Sequence, residues 1–111
     1  MTSKLFQEII ATYRRHGWRL RSVLLTPETR MLLKSGMRNF FAAAEIREAE
    51  FDGLWFARPS PAGREAWELR LVAEQPYALF AAFESDEGEA EREQARGEME
   101  ARMRDYTTMH S

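Results

Sequence analysis

The fold is decided by residues 51–84, which read FDGLWFARPSPAGREAWELRLVAEQPYALFAAFE. Residues 65–73 show the clearest alternation of apolar and polar side chains in the chain, the pattern of a strand with one buried face. The prolines and glycine of residues 59–63 favour a loop, and residues 74–76 form a tight connection. The sequence therefore predicts an antiparallel meander of three strands, over residues 51–58, 65–73 and 77–84.

Upstream of the meander, the sequence predicts a helix, a strand and a second, shorter helix. Residues 3–16 carry apolar side chains at three- and four-residue spacing, and Gly17 follows as a typical helix stop. Residues 18–25 alternate apolar and basic side chains, so one face of this strand is expected to be apolar and the other basic. The apolar members are Trp18, Leu20 and Leu24. A threonine cap and a proline then begin a short helix, expected over residues 27–35.

Downstream of the meander, the composition of about residues 86–106 is helical, with a thin apolar stripe. The stripe consists of Ala95, Met99, Met103 and Tyr106. Residues 37–50 stay open, since their spacing fits either a helical turn or a strand. We predict one α+β domain over residues 1–111, with N-terminal, short middle and C-terminal helices. Its antiparallel sheet has about four strands, the meander and the N-terminal strand, in an order that the sequence leaves open.

The composition bounds the class of protein. A chain of 111 residues that is 44% hydrophobic and 12% aromatic is suited to a single core. Without cysteine it forms no disulfide, no cysteine-ligated zinc site and no thiol nucleophile. No apolar run approaches the about 20 residues of a membrane-spanning helix, and the N-terminus does not resemble a signal peptide, so we expect a cytoplasmic protein. Basic charge carried by 14 Arg and 2 Lys is typical of GC-rich bacterial genomes.

Charge is unevenly distributed along the chain. Residues 1–47 carry nine Lys or Arg and three Glu, a net +6, whereas residues 48–111 carry seven Arg and fifteen acids, a net −8. Attraction between the two parts within one core is the favoured interpretation. The alternative is an anionic partner for the first part and a basic partner for the second.

The sequence offers little catalytic chemistry. The two histidines are His16, in the last turn of a predicted helix, and His110, next to the C-terminus, and the glycines lack the spacing of a phosphate-binding loop. We predict no catalytic residue, no cofactor and no metal site. One hypothesis remains, a small-ligand enzyme that uses the acidic run of residues 45–52. A solvated strand edge is the alternative interpretation of its acids, Glu45, Glu48, Glu50 and Asp52.

A basic patch surrounds the turn at Gly17. It consists of Arg14, Arg15, Arg19 and Arg21, with Tyr13 and Trp18 between them. Arginines contact phosphates and aromatic rings stack on bases, so this pattern predicts a nucleic-acid-binding accessory protein as the second functional hypothesis. In the alternative interpretation, these arginines belong to a helix terminus and to the solvent-exposed face of a strand.

The meander carries more apolar side chains than one buried face needs. Trp55 and Phe56 are neighbours, as are Leu79 and Phe80, so each pair points to both faces of the sheet. We expect the charged C-terminal helix to cover one face only partly. The leading hypothesis is therefore a non-enzymatic interaction module, either a homodimer through this apolar face of the sheet or a partner of another protein. Its predicted surface consists of Trp55, Phe56, Phe80 and Met99, and the alternative is a strand that the chain itself buries on both sides.

Overall fold

The computed structural model describes residues 2–33 and 41–110. The helices are α1 (Thr2–Arg15), α2 (Pro27–Leu32) and α3 (Glu89–Met109). The strands are β1 (Arg19–Leu25), β2 (Glu45–Glu48), β3 (Gly53–Pro59), β4 (Glu65–Leu71) and β5 (Ala78–Phe83), with a short 3₁₀ turn at Pro61–Gly63 between β3 and β4. The α+β class is confirmed. Within the described ranges, no helix combines the length and the apolar character that crossing a membrane requires.

The five strands form one sheet in the order β2, β1, β3, β4, β5. The predicted antiparallel meander is present as β3, β4 and β5, and β1 pairs antiparallel with β3, with Val23 opposite Leu54. β2 lies in the segment that the sequence left open. It adds a parallel strand outside β1, with Val23 opposite Ile46, and gives the sheet one strand more than expected. The edges of the sheet are therefore β2 and β5.

The predicted ends of the first two helices depend on local capping. The N–H of Gly17 donates to the carbonyl of Arg14 at 3.1 Å, and Gly17 has a φ of +86°. This left-handed conformation favours glycine because of the backbone itself and not because of packing, since a Cβ there would contact no atom within 4 Å. At the start of α2, Thr26 Oγ1 accepts a bond of 3.2 Å from the N–H of Thr29. α2 ends at Leu32, and the predicted end near residues 35 and 36 lies outside the described residues.

A β-bulge interrupts β1. Leu20 lies opposite Phe56 and Ser22 lies opposite Trp55, so Arg21 is an additional residue on the β1 side of this ladder. The bulge reverses the alternation of β1, and Leu20 and Leu24 therefore face opposite sides of the sheet. The expectation of a single apolar face shared by these leucines was wrong for this reason.

Each face of the sheet is covered by one long helix. On one face α1 packs in the α1-side core, formed by Phe6, Ile9, Ile10, Leu20, Val23, Leu25, Phe41, Leu54 and Phe56. On the other, Met99 and Met103 of α3 enter the α3-side core with Leu24, Phe51, Trp55, Ala57, Trp67, Leu69, Leu71, Leu79 and Phe83. The predicted stripe of α3 is confirmed, since Ala95 and Tyr106 pack against the same core. β3 is consequently buried on both faces by the chain itself.

Candidate functional site

The outer side of β5 faces no other strand among residues 2–33 and 41–110. The N–H of Leu71 donates to the carbonyl of Tyr77 at 2.9 Å, so Tyr77 turns its polar backbone groups toward β4. Backbone groups of successive strand residues point to opposite sides. Ala78, Phe80 and Ala82 therefore direct their N–H and C=O groups outward. These three residues are called the β5 edge.

The side chains of β5 do not protect this edge. Phe80 is 62% exposed, and Ala78 and Ala82 beside it on the same face are also exposed. Leu79 and Phe83 point to the other face and enter the α3-side core. Natural edge strands commonly carry charges, prolines or bulges that prevent pairing with another chain. The strand Ala78–Phe83 has no charged residue, no proline and a regular register with β4.

The structure separates the four residues of the predicted interaction surface. Trp55 and Phe56 are 2% and 0% exposed and belong to opposite cores, and Met99 is 6% exposed. The indole N–H of Trp55 also donates to Glu100 Oε2 at 2.7 Å, which ties β3 to α3. A partner reaches these three residues only if a core opens. Phe80 is the member of the predicted surface that is exposed.

A groove of about 620 Å³ lies where β1 extends beyond β2. Pairing between these strands begins with Ser22 opposite Glu45, so the preceding residues of β1 have no strand partner on that side within the described ranges. The lining includes Arg14, Trp18, Arg19 and Arg21, together with residues 41–44, and contains no carboxylate from the described part of the chain. We call this surface the arginine groove.

The arginine groove brings together three of the four predicted basic residues. Arg15 is not part of its lining, and its guanidinium donates to Thr12 Oγ1 at 3.4 Å. Arg19 and Arg21 are exposed, and neither forms an ion pair with a carboxylate among the described residues. The guanidinium of Arg21 lies 5.3 Å from the centre of the Trp67 ring.

Arg47 joins the basic part of the chain to the acidic part. Among the described residues, a single ion pair links residues 1–47 with residues 48–111, between Arg47 and Glu100 at 2.6 Å.

A larger cleft of about 770 Å³ lies between the sheet and α3. It adjoins the arginine groove, because Arg21 and Ala43 line both. Its floor includes Trp67, which is 8% exposed and has the guanidinium of Arg96 at 4.5 Å from its ring centre. Carboxylates are present here, from Glu45, Glu93 and Glu100. Positive charge without acids is thus a property of the groove and not of this α3 cleft.

The structure divides the acidic run of residues 45–52. Glu48 and Glu50 line an open cleft of about 600 Å³. Asp52 instead accepts bonds from the N–H of Thr26 at 2.9 Å and from the hydroxyl of Thr29 at 2.6 Å, so it fixes the start of α2. In the described part of the chain, no group of three potential ligands is arranged to hold a metal ion. The acidic run is therefore divided between this cleft, which Glu28 and Glu100 also line, and the start of α2.

Both histidines contact their own helices. His16 Nδ1 lies 2.9 Å from the carbonyl of Thr12, and His110 Nδ1 lies 2.9 Å from the carbonyl of Tyr106. Each contact is four residues back along the chain, at a helix C-terminus where carbonyls lack partners. The two side chains are exposed and act as helix-end groups.

A polar contact that the sequence did not indicate lies next to β5. The hydroxyl of Tyr13 donates to the carboxylate of Glu68, and the Tyr13 ring stacks on Phe56 with centres 4.0 Å apart. Burial raises the pKa of Tyr13 above its ordinary value, and the hydrogen bond to Glu68 raises this pKa further. Glu68 lies directly opposite Phe80 in the ladder of β4 and β5. The contact thus fixes the polar neighbour of the exposed phenylalanine.

Comparison with protein-family models, with curated proteins and with solved structures finds no match to this chain. Function is therefore inferred from the chemistry of the β5 edge and of the arginine groove.

Proposed function

We propose that the protein is a non-enzymatic assembly module that forms a homodimer through the β5 edges of two copies. The observation that supports this proposal most directly is an uncharged edge strand of six residues in which Phe80 is 62% exposed. Such an edge is a template for a further strand, and a second copy supplies an identical one. Antiparallel pairing about a two-fold axis closes after two copies, as in most homodimers.

One register uses every outward-facing group of the edge. With Phe80 opposite Phe80 of the second copy, Ala78 lies opposite Ala82 in both directions. Residue pairs of this kind exchange two hydrogen bonds each, so the three pairs form about six bonds between the copies. Pro76 precedes the strand and has no N–H to donate, which limits the ladder to these positions.

The side chains of the edge fit this register. The two Phe80 rings lie on the same face of the joined sheet, as a cross-strand aromatic pair that contributes roughly 0.2–1 kcal/mol beyond alanine. Ala78 and Ala82 are small and leave space for the phenyl ring of the second copy. The exposed apolar surface of Phe80 thereby becomes buried, which favours association at all salt concentrations.

The test is the molar mass in solution, measured by light scattering over a range of protein and salt concentrations. We expect twice the 13.0 kDa of the chain, at low and at high salt. Phe80→Lys places a charge at the two-fold axis, and Ala82→Pro removes an outward N–H without removing a bond to β4, so both variants should be monomers. The matched control is Met109→Lys, which also replaces an exposed apolar side chain and should remain a dimer.

Two results contradict the proposal. One is a wild-type chain that is monomeric at every concentration. The other is a dimer that persists in Phe80→Lys and in Ala82→Pro, because it would use a surface other than the β5 edge. A monomer whose β5 amide resonances shift on addition of an extended peptide would assign the edge to another protein instead of to a second copy.

A further inference from the structure

The arginine groove combines a concave shape with two exposed guanidinium groups, those of Arg19 and Arg21, which form no ion pair with a carboxylate among the described residues. Its lining holds Arg14, Arg19 and Arg21 and no carboxylate from the described residues. Exposed arginines in a groove attract anions and bind phosphate oxygens through their forked N–H donors. The chemistry of the groove is therefore that of a site for phosphate groups.

The position of Arg21 in this groove comes from the β1 bulge. Bulges redirect side chains and are common beside functional sites. Here the additional residue lies over the Trp67 ring at 5.3 Å, in an arrangement where the aromatic face attracts the guanidinium. Among the described residues no carboxylate forms an ion pair with Arg21, so its N–H donors stay available for a ligand.

Trp18 adds an aromatic surface to the same groove. It is half-buried, and two neighbours restrain its ring: Tyr13 packs edge-on at 6.0 Å between ring centres, and the Arg58 guanidinium lies 4.9 Å from the ring centre. A restrained, partly exposed indole beside arginines is the combination that binds a base next to its phosphates.

We propose that the arginine groove binds single-stranded nucleic acid, with Arg19 and Arg21 on the phosphates and Trp18 against a base. A concave groove admits one strand, whereas reading a duplex requires an element that protrudes into the major groove. The acids of the α3 cleft repel a polyanion that continues past Arg21. The site is therefore short, and it is independent of the β5 edge.

The experiment is the fluorescence anisotropy of a labelled oligothymidylate titrated with the full chain at several salt concentrations. Two phosphate contacts predict a log–log slope against salt of about 1.4 in magnitude. Arg19→Ala and Arg21→Ala should each weaken binding and lower the slope by about 0.7. Trp18→Leu should weaken binding at least about five-fold, since loss of one stacked base costs that much. Arg19 and Arg21 are exposed, so their variants remain informative even if Trp18→Leu fails to fold.

The matched control is Arg15→Ala, which removes the same charge from the neighbouring turn but lies outside the groove. Its affinity should stay within about two-fold of wild type at physiological salt, because an exposed charge that makes no direct phosphate contact acts only through a screened interaction. Absence of binding at low salt, or equal losses in Arg15→Ala and Arg19→Ala, overturns the proposal. Equal affinity for duplex DNA and for the oligothymidylate also overturns it. So does equal affinity for inorganic polyphosphate and for the oligothymidylate, if Trp18→Leu leaves binding unchanged.

Discussion

The two edges of the sheet differ in length and in chemistry. β2 has four residues, Glu45–Glu48, three of them charged, and Arg47 contacts both Glu45 at 3.6 Å and Glu100 of α3 at 2.6 Å. β5 has six residues and no charge, and it exposes Phe80. Short and charged edges resist pairing with another chain, whereas long and uncharged edges invite it.

This difference bears on how far association can proceed. A chain with two open edges adds copies at both and grows into an extended sheet, which is the route to aggregation. A chain with one open edge stops at a pair. The charges of β2 are consistent with an edge that remains unpaired when β5 pairs with a second copy.

The largest effect is expected from proline within β5. Ala81 lies opposite Trp67, and its N–H faces β4, so Ala81→Pro removes a ladder bond and should lower the free energy of unfolding by about 2–3 kcal/mol. Ala82→Pro, one residue further on, should lower it by less than about 1 kcal/mol, because the N–H at this position faces outward. Urea denaturation of both variants checks this, under conditions where the chain is monomeric. Equal losses would mean that the outward and inward backbone groups of β5 are misassigned.

A smaller effect is expected from removing the charges of β2. In the triple variant with threonine at 45, 47 and 48, the edge loses its charges and gains a residue type that favours strands. Its mass by light scattering should rise above that of a dimer as concentration increases. The contribution of the Arg47 ion pairs to stability is within about 1 kcal/mol, since that side chain is 41% exposed, so the monomer should stay folded.

The control for the β2 variant makes the same change in net charge, but at positions on α3. It carries Glu98→Gln, Arg102→Gln and Asp105→Asn, all at exposed positions. If this control also forms larger species, net charge and not the protection of the β2 edge governs association.

The smallest effect is expected at Gly97, inside α3. A Cβ added there meets no atom within 4 Å, so Gly97→Ala introduces no clash. Alanine favours a helix interior over glycine, and the free energy of unfolding should rise by about 0.5–1 kcal/mol. The variant leaves both edges as they are, so its mass should equal that of wild type. A change in mass would show that association follows global stability instead of edge chemistry.

Elements with a strong local pattern could be predicted from the sequence. The stripe of Ala95, Met99, Met103 and Tyr106 on α3 is confirmed because helical spacing alone defines it. The meander is confirmed because alternation in β4 and the proline- and glycine-containing loop before it are local signals. Gly17 ended α1 as expected for the same reason.

Features that depend on distant contacts could not be predicted. β2 has one apolar residue, Ile46, and becomes a strand through parallel pairing with β1. The positions at which α1 and α3 pack determine whether Trp55 or Phe80 is exposed. A local sequence pattern carries no information about those positions. The same holds for the arginine groove, whose lining includes Arg14 and excludes Arg15, its neighbour in sequence.

The bulge in β1 can also be regarded as a one-residue insertion. Without Arg21, Leu20 would precede Ser22 directly and the strand would alternate strictly, with Leu20 and Val23 on the face of α1 and Leu24 on the face of α3, where they lie now. The hydrophobic core therefore has no need of the inserted residue, whereas the groove obtains an arginine from it. In evolutionary terms, inserting a single codon at this position adds a charge to the groove without changing which side chains form the core.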